Sequence, residues 1–406
     1  MLRSRPNAAE LAQATLGAER CVTAAGASHA AARPARLPPD GGAAETISKN
    51  FPALSGLRAI AALTVVCFHY WPAPRLGWAY ALIETGPAAV GFFFLLSGFV
   101  LAISHPELSS VRSFWKARLI RIYPMYLFAF VLFLPMAVVK YHGHPHTFAL
   151  SFALNMTMLQ AWTNLSESWN GPSWSLSVEA FLYFAFPFVL RAIAGQKNPL
   201  WWALPLVIPT GVAFAFCSGH IPRLLWRGWI AHDPVLWLPI FVFGMALGLW
   251  RTRHPAVNIP VGGLLAGAAA AVAAAVILLP PAYREVFAYG AGTLGLAAIV
   301  VLSTYPSRLG EALLGNPLIV RLGSASYITY IVQGPLWHYY KAITHDVRHL
   351  RWFSGPHAPL IFFFIFVVAL SAASLLLEAY VDEPLRAWLK KPRPTRRRDL
   401  ALSLSD

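Results

Sequence analysis

Residues 54–71 read Leu54-Ser55-Gly56-Leu57-Arg58-Ala59-Ile60-Ala61-Ala62-Leu63-Thr64-Val65-Val66-Cys67-Phe68-His69-Tyr70-Trp71. Arg58 is the one Lys, Arg, Asp or Glu in this run, which as a helix rises ~1.5 Å per residue and so nearly spans a ~30 Å hydrocarbon core. Eleven steps of ~100° bring His69 back to within ~20° of the Arg58 face, and the rise sets the two ~16 Å apart. One helix face thus carries a cation near one membrane surface and an imidazole near the other. Two readings are open. Arg58 can snorkel to lipid phosphates while His69 sits at the interface beside Tyr70 and Trp71, or both are intramembrane ionisable groups kept for function.

Runs of this kind recur to residue 381, near 54–73, 86–104, 120–140, 173–193, 200–217, 233–250, 260–279, 285–303, 321–341 and 358–381. The stretch 146–163 is shorter and carries Asn155 and Gln160. It reads as re-entrant or interfacial, a form tolerated where protein covers the irregular backbone. Composition agrees with a chain that lives in a lipid bilayer: of 406 residues, 57% are hydrophobic and 12% charged, about half the charge of a soluble surface. The fold class is therefore all-α, a polytopic membrane bundle of about ten transmembrane helices.

A net charge of +15 would suit a nucleic-acid binder if it clustered on a polar domain. Instead the basic residues fill short gaps between apolar runs, so no nucleic-acid partner is expected. With ten spans and a cytoplasmic N-terminus, 23 of the 32 Lys and Arg fall on the inner side and 8 on the outer, with Arg58 inside the first span. That is the bias cytoplasmic loops carry. Both termini then face the cytoplasm: a flexible extension over 1–50, a membrane domain over 51–390 and a basic tail over 391–406. The span at 260–279 has Gly263 and Gly267 in a spacing that permits close helix packing.

Two further stretches hold chemistry. In Phe114-Trp115-Lys116-Ala117-Arg118-Leu119-Ile120-Arg121-Ile122-Tyr123-Pro124, Arg118 and Arg121 are three apart and adjacent on one helix side, at the mouth of the third span. Guanidinium forks suit phosphates, and a plain positive-inside anchor has the same spacing. In Trp169-Asn170-Gly171-Pro172-Ser173-Trp174-Ser175-Leu176-Ser177-Val178-Glu179, Glu179 lies ~9 Å below an entry at Ser173, close to the ~6 Å depth of His69 on the opposite-running first span. Packed together, the two would form an acid/base pair in which Glu179 orients His69. The cluster His142-Gly143-His144-Pro145-His146 is broken by proline and lacks a carboxylate or thiol, so no metal is expected. Ser97 before Gly98 reads as a packing position.

These stretches, with Val90-Gly91-Phe92-Phe93-Phe94-Leu95-Leu96-Ser97-Gly98-Phe99, Leu322-Gly323-Ser324-Ala325-Ser326-Tyr327-Ile328-Thr329-Tyr330 and Asp382-Glu383-Pro384-Leu385-Arg386, occur in an order that resembles the acyltransferase 3 family of membrane-embedded acyltransferases. The resemblance covers roughly 51–390. It implies an acyl group, commonly acetyl from acetyl-CoA, moved to a hydroxyl of a glycan, a polysaccharide or a small metabolite, with His69 catalytic and Arg58, Arg118 and Arg121 serving the acyl-CoA donor. After Tyr330 the family often has a His, where this chain reads Ile331-Val332-Gln333. Asn170, Trp174 and Tyr330 are candidate acceptor contacts, with packing as their other reading. The expectation is a membrane-bound O-acyltransferase of a bacterial inner membrane, acting on a glycan or polysaccharide. Its alternatives are a macrolide-type small-molecule acyltransferase and a transporter using Arg58, His69 and Glu179 as a proton or substrate path.

Overall fold

A computed structural model of the chain describes residues 51–72, 78–222, 225–226, 229–280, 283–284, 287, 292–345 and 357–391. The extension expected over 1–50 and the tail beyond Lys391 lie outside these, as do Arg75, Arg223, Arg227, Arg348 and Arg351 of the outer basic set. Every regular element among the described residues is helical: α1 Pro52–Tyr70, α2 Trp78–Ile83, α3 Gly86–Ser104, α4 Val111–Lys140, α5 Pro145–Met156, α6 Trp174–Ile193, α7 Leu200–His220, α8 Pro234–Arg253, α9 Val261–Leu278, α10 Thr293–Leu302, α11 Arg308–Leu314, α12 Pro317–Ser324, α13 Ser326–Thr344, α14 Ala358–Leu377 and α15 Glu383–Lys390. Seven helical stretches among them are long and apolar enough to cross a membrane. The fold is an all-α polytopic membrane bundle.

Packing in lipid has no hydrophobic drive between helices, so close backbone approach must supply the contact energy. The seam between α3 and α8 does this with glycines. A Cβ at Gly98 would lie 2.2 Å from the Phe241 carbonyl oxygen, and one at Gly244 2.0 Å from that of Leu95. Gly263 and Gly267, the pair expected to pack, instead have open space where a side chain would stand, on a helix largely exposed along its length. The spacing permitted contact, but the neighbouring helices lie against its other faces.

Three boundaries depart from the expected spans in ways that matter for the site. Helix α4 begins at Val111, where Ser110 caps it by accepting from the Ser113 amide at 3.3 Å. Arg118 and Arg121 therefore sit two to three turns inside a helix that starts well before the expected span at 120–140. The span placed at 321–341 is two helices, α12 and α13, separated at Ala325. Gly323 lies so close to α1 that a Cβ there would stand 1.8 Å from the Ser55 carbonyl oxygen.

The third is the stretch 146–163. Its helix α5 has 12 residues, ~18 Å of rise, too short for a ~30 Å crossing. Beyond α5 the backbone is irregular, with Met158 at φ 57°, and alternates between buried residues, Met158, Gln160, Ala161 and Ser166, and exposed ones, Leu159 and Trp162. Side chains take the last carbonyls of α5 and two beyond it: Tyr126 donates to Asn155 O at 2.6 Å, Tyr123 to Met156 O at 3.0 Å, Ser177 to Met158 O at 2.6 Å, and Lys140 to Ser168 O at 2.7 Å. That is the condition under which non-helical chain survives at membrane depth.

Candidate functional site

Helices α1, α3, α4, α6 and α13 enclose a cavity of about 880 Å³, its opening included. One wall is apolar, from Val90, Phe93, Phe94 and Leu96 on α3. The other carries Arg58 from α1, Arg118 and Arg121 from α4, and Glu179 and Tyr183 from α6. The positions follow from helical spacing: Arg118 and Arg121 are three apart, and Glu179 and Tyr183 four apart, so each pair shares a face.

Charge in the cavity is unbalanced. Glu179 is the one carboxylate that lines it, and its Oε1 is taken by the Tyr183 hydroxyl and by Ser97 Oγ at 3.3 Å. Arg58 donates from Nε to Ser326 Oγ at 3.3 Å. Arg118 is buried, its guanidinium 5.7 Å from the centre of the Phe114 ring, and its Nε has no hydrogen-bond partner among the described residues. Arg121 alone of the three has an ion pair among those residues, to Asp382 Oδ2 at 3.3 Å. Three guanidiniums thus face one carboxylate already engaged by two hydroxyls.

His69 lies elsewhere. It does not line the cavity, and its exposed ring is edged by Phe68 at 5.2 Å between centres. Its Nδ1 is 2.8 Å from Val65 O. A carbonyl can only accept, so Nδ1 carries the proton and Nε2 of the neutral ring presents its lone pair. The expected pairing with Glu179 is not formed: His69 is oriented by its own helix, and Glu179 belongs to the arginine cavity. The depth estimate started from Ser173 as a membrane entry, yet Trp169, Asn170 and Ser173 are each 3% exposed. The helix that carries Glu179 begins already inside the bundle.

The three candidate acceptor contacts separate. Trp174 is core, stacked on His232 at 4.2 Å and tilted against Trp237. Asn170 ties the segment before α6 to α13, donating to Ile331 O at 2.7 Å, and Gly334 leaves room for it: a Cβ there would lie 2.2 Å from Asn170 Oδ1. Tyr330 lines the arginine cavity while its hydroxyl donates to Pro172 O at 3.2 Å. Next to Asn170 a second, smaller pocket of about 200 Å³ is lined by Tyr126, Asn155, Ser173 and Ile331. His142, His144 and His146 are all exposed, and Pro145 opens α5 between them.

Sequence reasoning missed Tyr183, Ser326 and Tyr327, and it read Ser97 as packing although its hydroxyl reaches Glu179. The four-residue spacing of Glu179 and Tyr183 was a usable signal. Ser326 and Tyr327 had none, because their approach to Arg58 and Arg121 depends on how α13 is placed. A buried contact between Ser166 Oγ and His232 Nδ1 at 2.8 Å, 66 residues apart, was equally invisible.

Residues 51–378 match the family model described as an acyltransferase domain. Among curated proteins, acyltransferase MdmB of Streptomyces mycarofaciens is 29% identical over 85% of this chain and 94% of its own length. Nodulation protein 10 of Rhizobium leguminosarum bv. viciae is 28% identical over 33% of this chain and 43% of its own. A putative acetyltransferase, ORF330, of Acidianus two-tailed virus is 29% identical over 36% and 43%. No solved structure matches the chain.

Proposed function

Because the chain belongs to the acyltransferase 3 family and so transfers acyl groups other than amino-acyl groups, we propose that it moves an acyl group, acetyl in the first instance, from acyl-CoA to a hydroxyl of a glycan or polysaccharide. The observation that carries the donor is the arginine cavity. A cation buried away from water costs several kcal/mol unless compensated, and among the described residues no carboxylate lies within ion-pair distance of Arg58 or Arg118. A phosphate-bearing ligand supplies the missing charge, and planar guanidiniums donate to phosphate oxygens in pairs.

The donor's phosphates meet Arg118 and Arg121, and its long arm runs along α1 past Arg58 toward His69. There Nε2 takes the proton of the acceptor hydroxyl as its oxygen attacks the thioester carbonyl. The carbon–sulfur bond then breaks, the CoA thiolate leaves, and the proton on His69 neutralises it. Glu179, fixed by Tyr183 and Ser97, offsets part of the repulsion among the guanidiniums and leaves the rest of their charge for the donor's phosphates. No metal enters the scheme. With both termini in the cytoplasm of a bacterial inner membrane, a cytosolic donor serves an acceptor on the outer side.

Two experiments test this. Isothermal titration of CoA into detergent-purified protein should give saturable binding that weakens in Arg118→Lys; equal affinity in the variant removes the donor assignment. For orientation, a fluorescent-protein fusion after Asp406 should be bright and an alkaline phosphatase fusion inactive, and the reverse pattern would end the inside-to-outside route.

A further inference from the structure

The motif Asp382-Glu383-Pro384-Leu385-Arg386 has no part in the scheme above, yet it holds one of the most buried acids in the chain. Helix α14 does not run straight into α15: a π-helical turn, Glu378–Asp382, lies between them. Such turns insert a residue into the helical register and re-aim the side chains beyond. Asp382 is 1% exposed, and its Oδ2 is shared by Arg386 at 2.7 Å and Arg121 at 3.3 Å. Its Oδ1 is buried without a hydrogen-bond partner among the described residues. Two guanidiniums, with no neutral donor at either oxygen among the described residues, therefore share this one carboxylate. Glu378, on the preceding turn, accepts from Ser324 Oγ at 2.9 Å.

We propose that Asp382 is a positioning residue that holds the Arg121 guanidinium at the cavity wall, an inference that rests on the donor-site reading. Arg121 stands over the Tyr327 ring at 5.8 Å and lies one helical turn from Arg118, with Arg58 lining the same space. Three like charges around one cavity repel, and Glu179 is engaged by Tyr183 and Ser97. Asp382 stands outside the cavity lining, and so draws Arg121 into place without occupying the space a ligand needs. Arg386 meets the same carboxylate oxygen from its own helix, outside the cavity lining.

The test is a double-mutant cycle read by CoA titration on detergent-purified, monodisperse protein. Asp382→Asn keeps shape and removes charge, and should weaken CoA binding about tenfold, with Asp382→Glu within about threefold of wild type. Arg386→Gln cuts the shorter of the two ion pairs but leaves Asp382 to Arg121, and should stay within about twofold. In an Arg121→Gln background, Asp382→Asn should add nothing, since its effect runs through Arg121. If Asp382 merely fastens α15, Arg386→Gln does equal harm and Asp382→Asn still lowers affinity in the Arg121→Gln background, which overturns the inference. Should Arg121→Gln itself leave CoA affinity unchanged, the donor-site reading fails and takes the inference with it. A weakened Arg121→Gln beside an unaffected Asp382→Asn overturns the positioning role alone.

Discussion

The arginine cavity and the irregular segment after α5 are both polar inclusions in an apolar bundle, and they resolve that problem in opposite ways. Around the segment after α5 the polar groups are mostly neutral, and the irregular backbone is taken up by Tyr123, Tyr126, Lys140 and Ser177. Asn170 Oδ1 and Ser173 Oγ, two of the side-chain atoms without a partner among the described residues, belong to residues that line the smaller pocket, a polar niche of the kind a buried water bridges. In the cavity the groups are charged, two guanidiniums have no carboxylate within ion-pair distance among the described residues, and about 880 Å³ stands beside them. One region uses its polar groups to hold shape; the other leaves two guanidiniums without a carboxylate partner among the described residues. His69 belongs to neither, being fixed by a hydrogen bond within its own helix.

That contrast can be broken by experiment. The largest effect should come from His69→Ala, which removes the proposed proton acceptor and none of the cavity. Acyl transfer should fall ~10²- to 10⁴-fold with CoA affinity unchanged. Wild-type turnover in a well-expressed variant would remove His69 from the chemistry, and a parallel loss of CoA binding would merge the two sites.

Next in size, Arg118→Lys keeps the charge but loses the planar fork, and CoA affinity should drop about tenfold, or ~1.4 kcal/mol. Because Arg118 has no polar partner at Nε among the described residues, the unfolding midpoint should hardly move. A large drop in thermal stability with intact CoA affinity would make Arg118 a structural residue. The smallest effect belongs to the other region. Tyr126→Phe removes one partner each from Asn155 O, which still accepts from Met158 N, and Gln160 Nε2, which still donates to Ser173 O, costing ~1 kcal/mol of stability. Its CoA affinity should equal wild type; opposite responses of midpoint and affinity in the two variants are what the contrast requires.

Much of this protein was already decided by one-dimensional facts. Whether a run is long and apolar enough to cross a bilayer depends on residue count and side-chain chemistry, so the all-helical membrane bundle, the short segment over 146–163 and the helical adjacency of Arg118 with Arg121 could be read from the chain. The ordered motifs likewise carried the family. The sequence could not supply which faces meet. Glu179 was expected beside His69 because depth was counted from Ser173 as though that residue stood at a membrane surface, whereas the segment before α6 is folded into the bundle. The Gly263 and Gly267 stripe was expected to pack, and the packing seam is Gly98 with Gly244 instead. Asp382 reaches Arg121 across 261 residues. Side-chain partnership in a membrane bundle is set by helix placement and rotation, and residue spacing limits only neighbours on the same helix. The tertiary structure alone therefore gathered three arginines from two helices around one carboxylate and left their excess charge facing empty space.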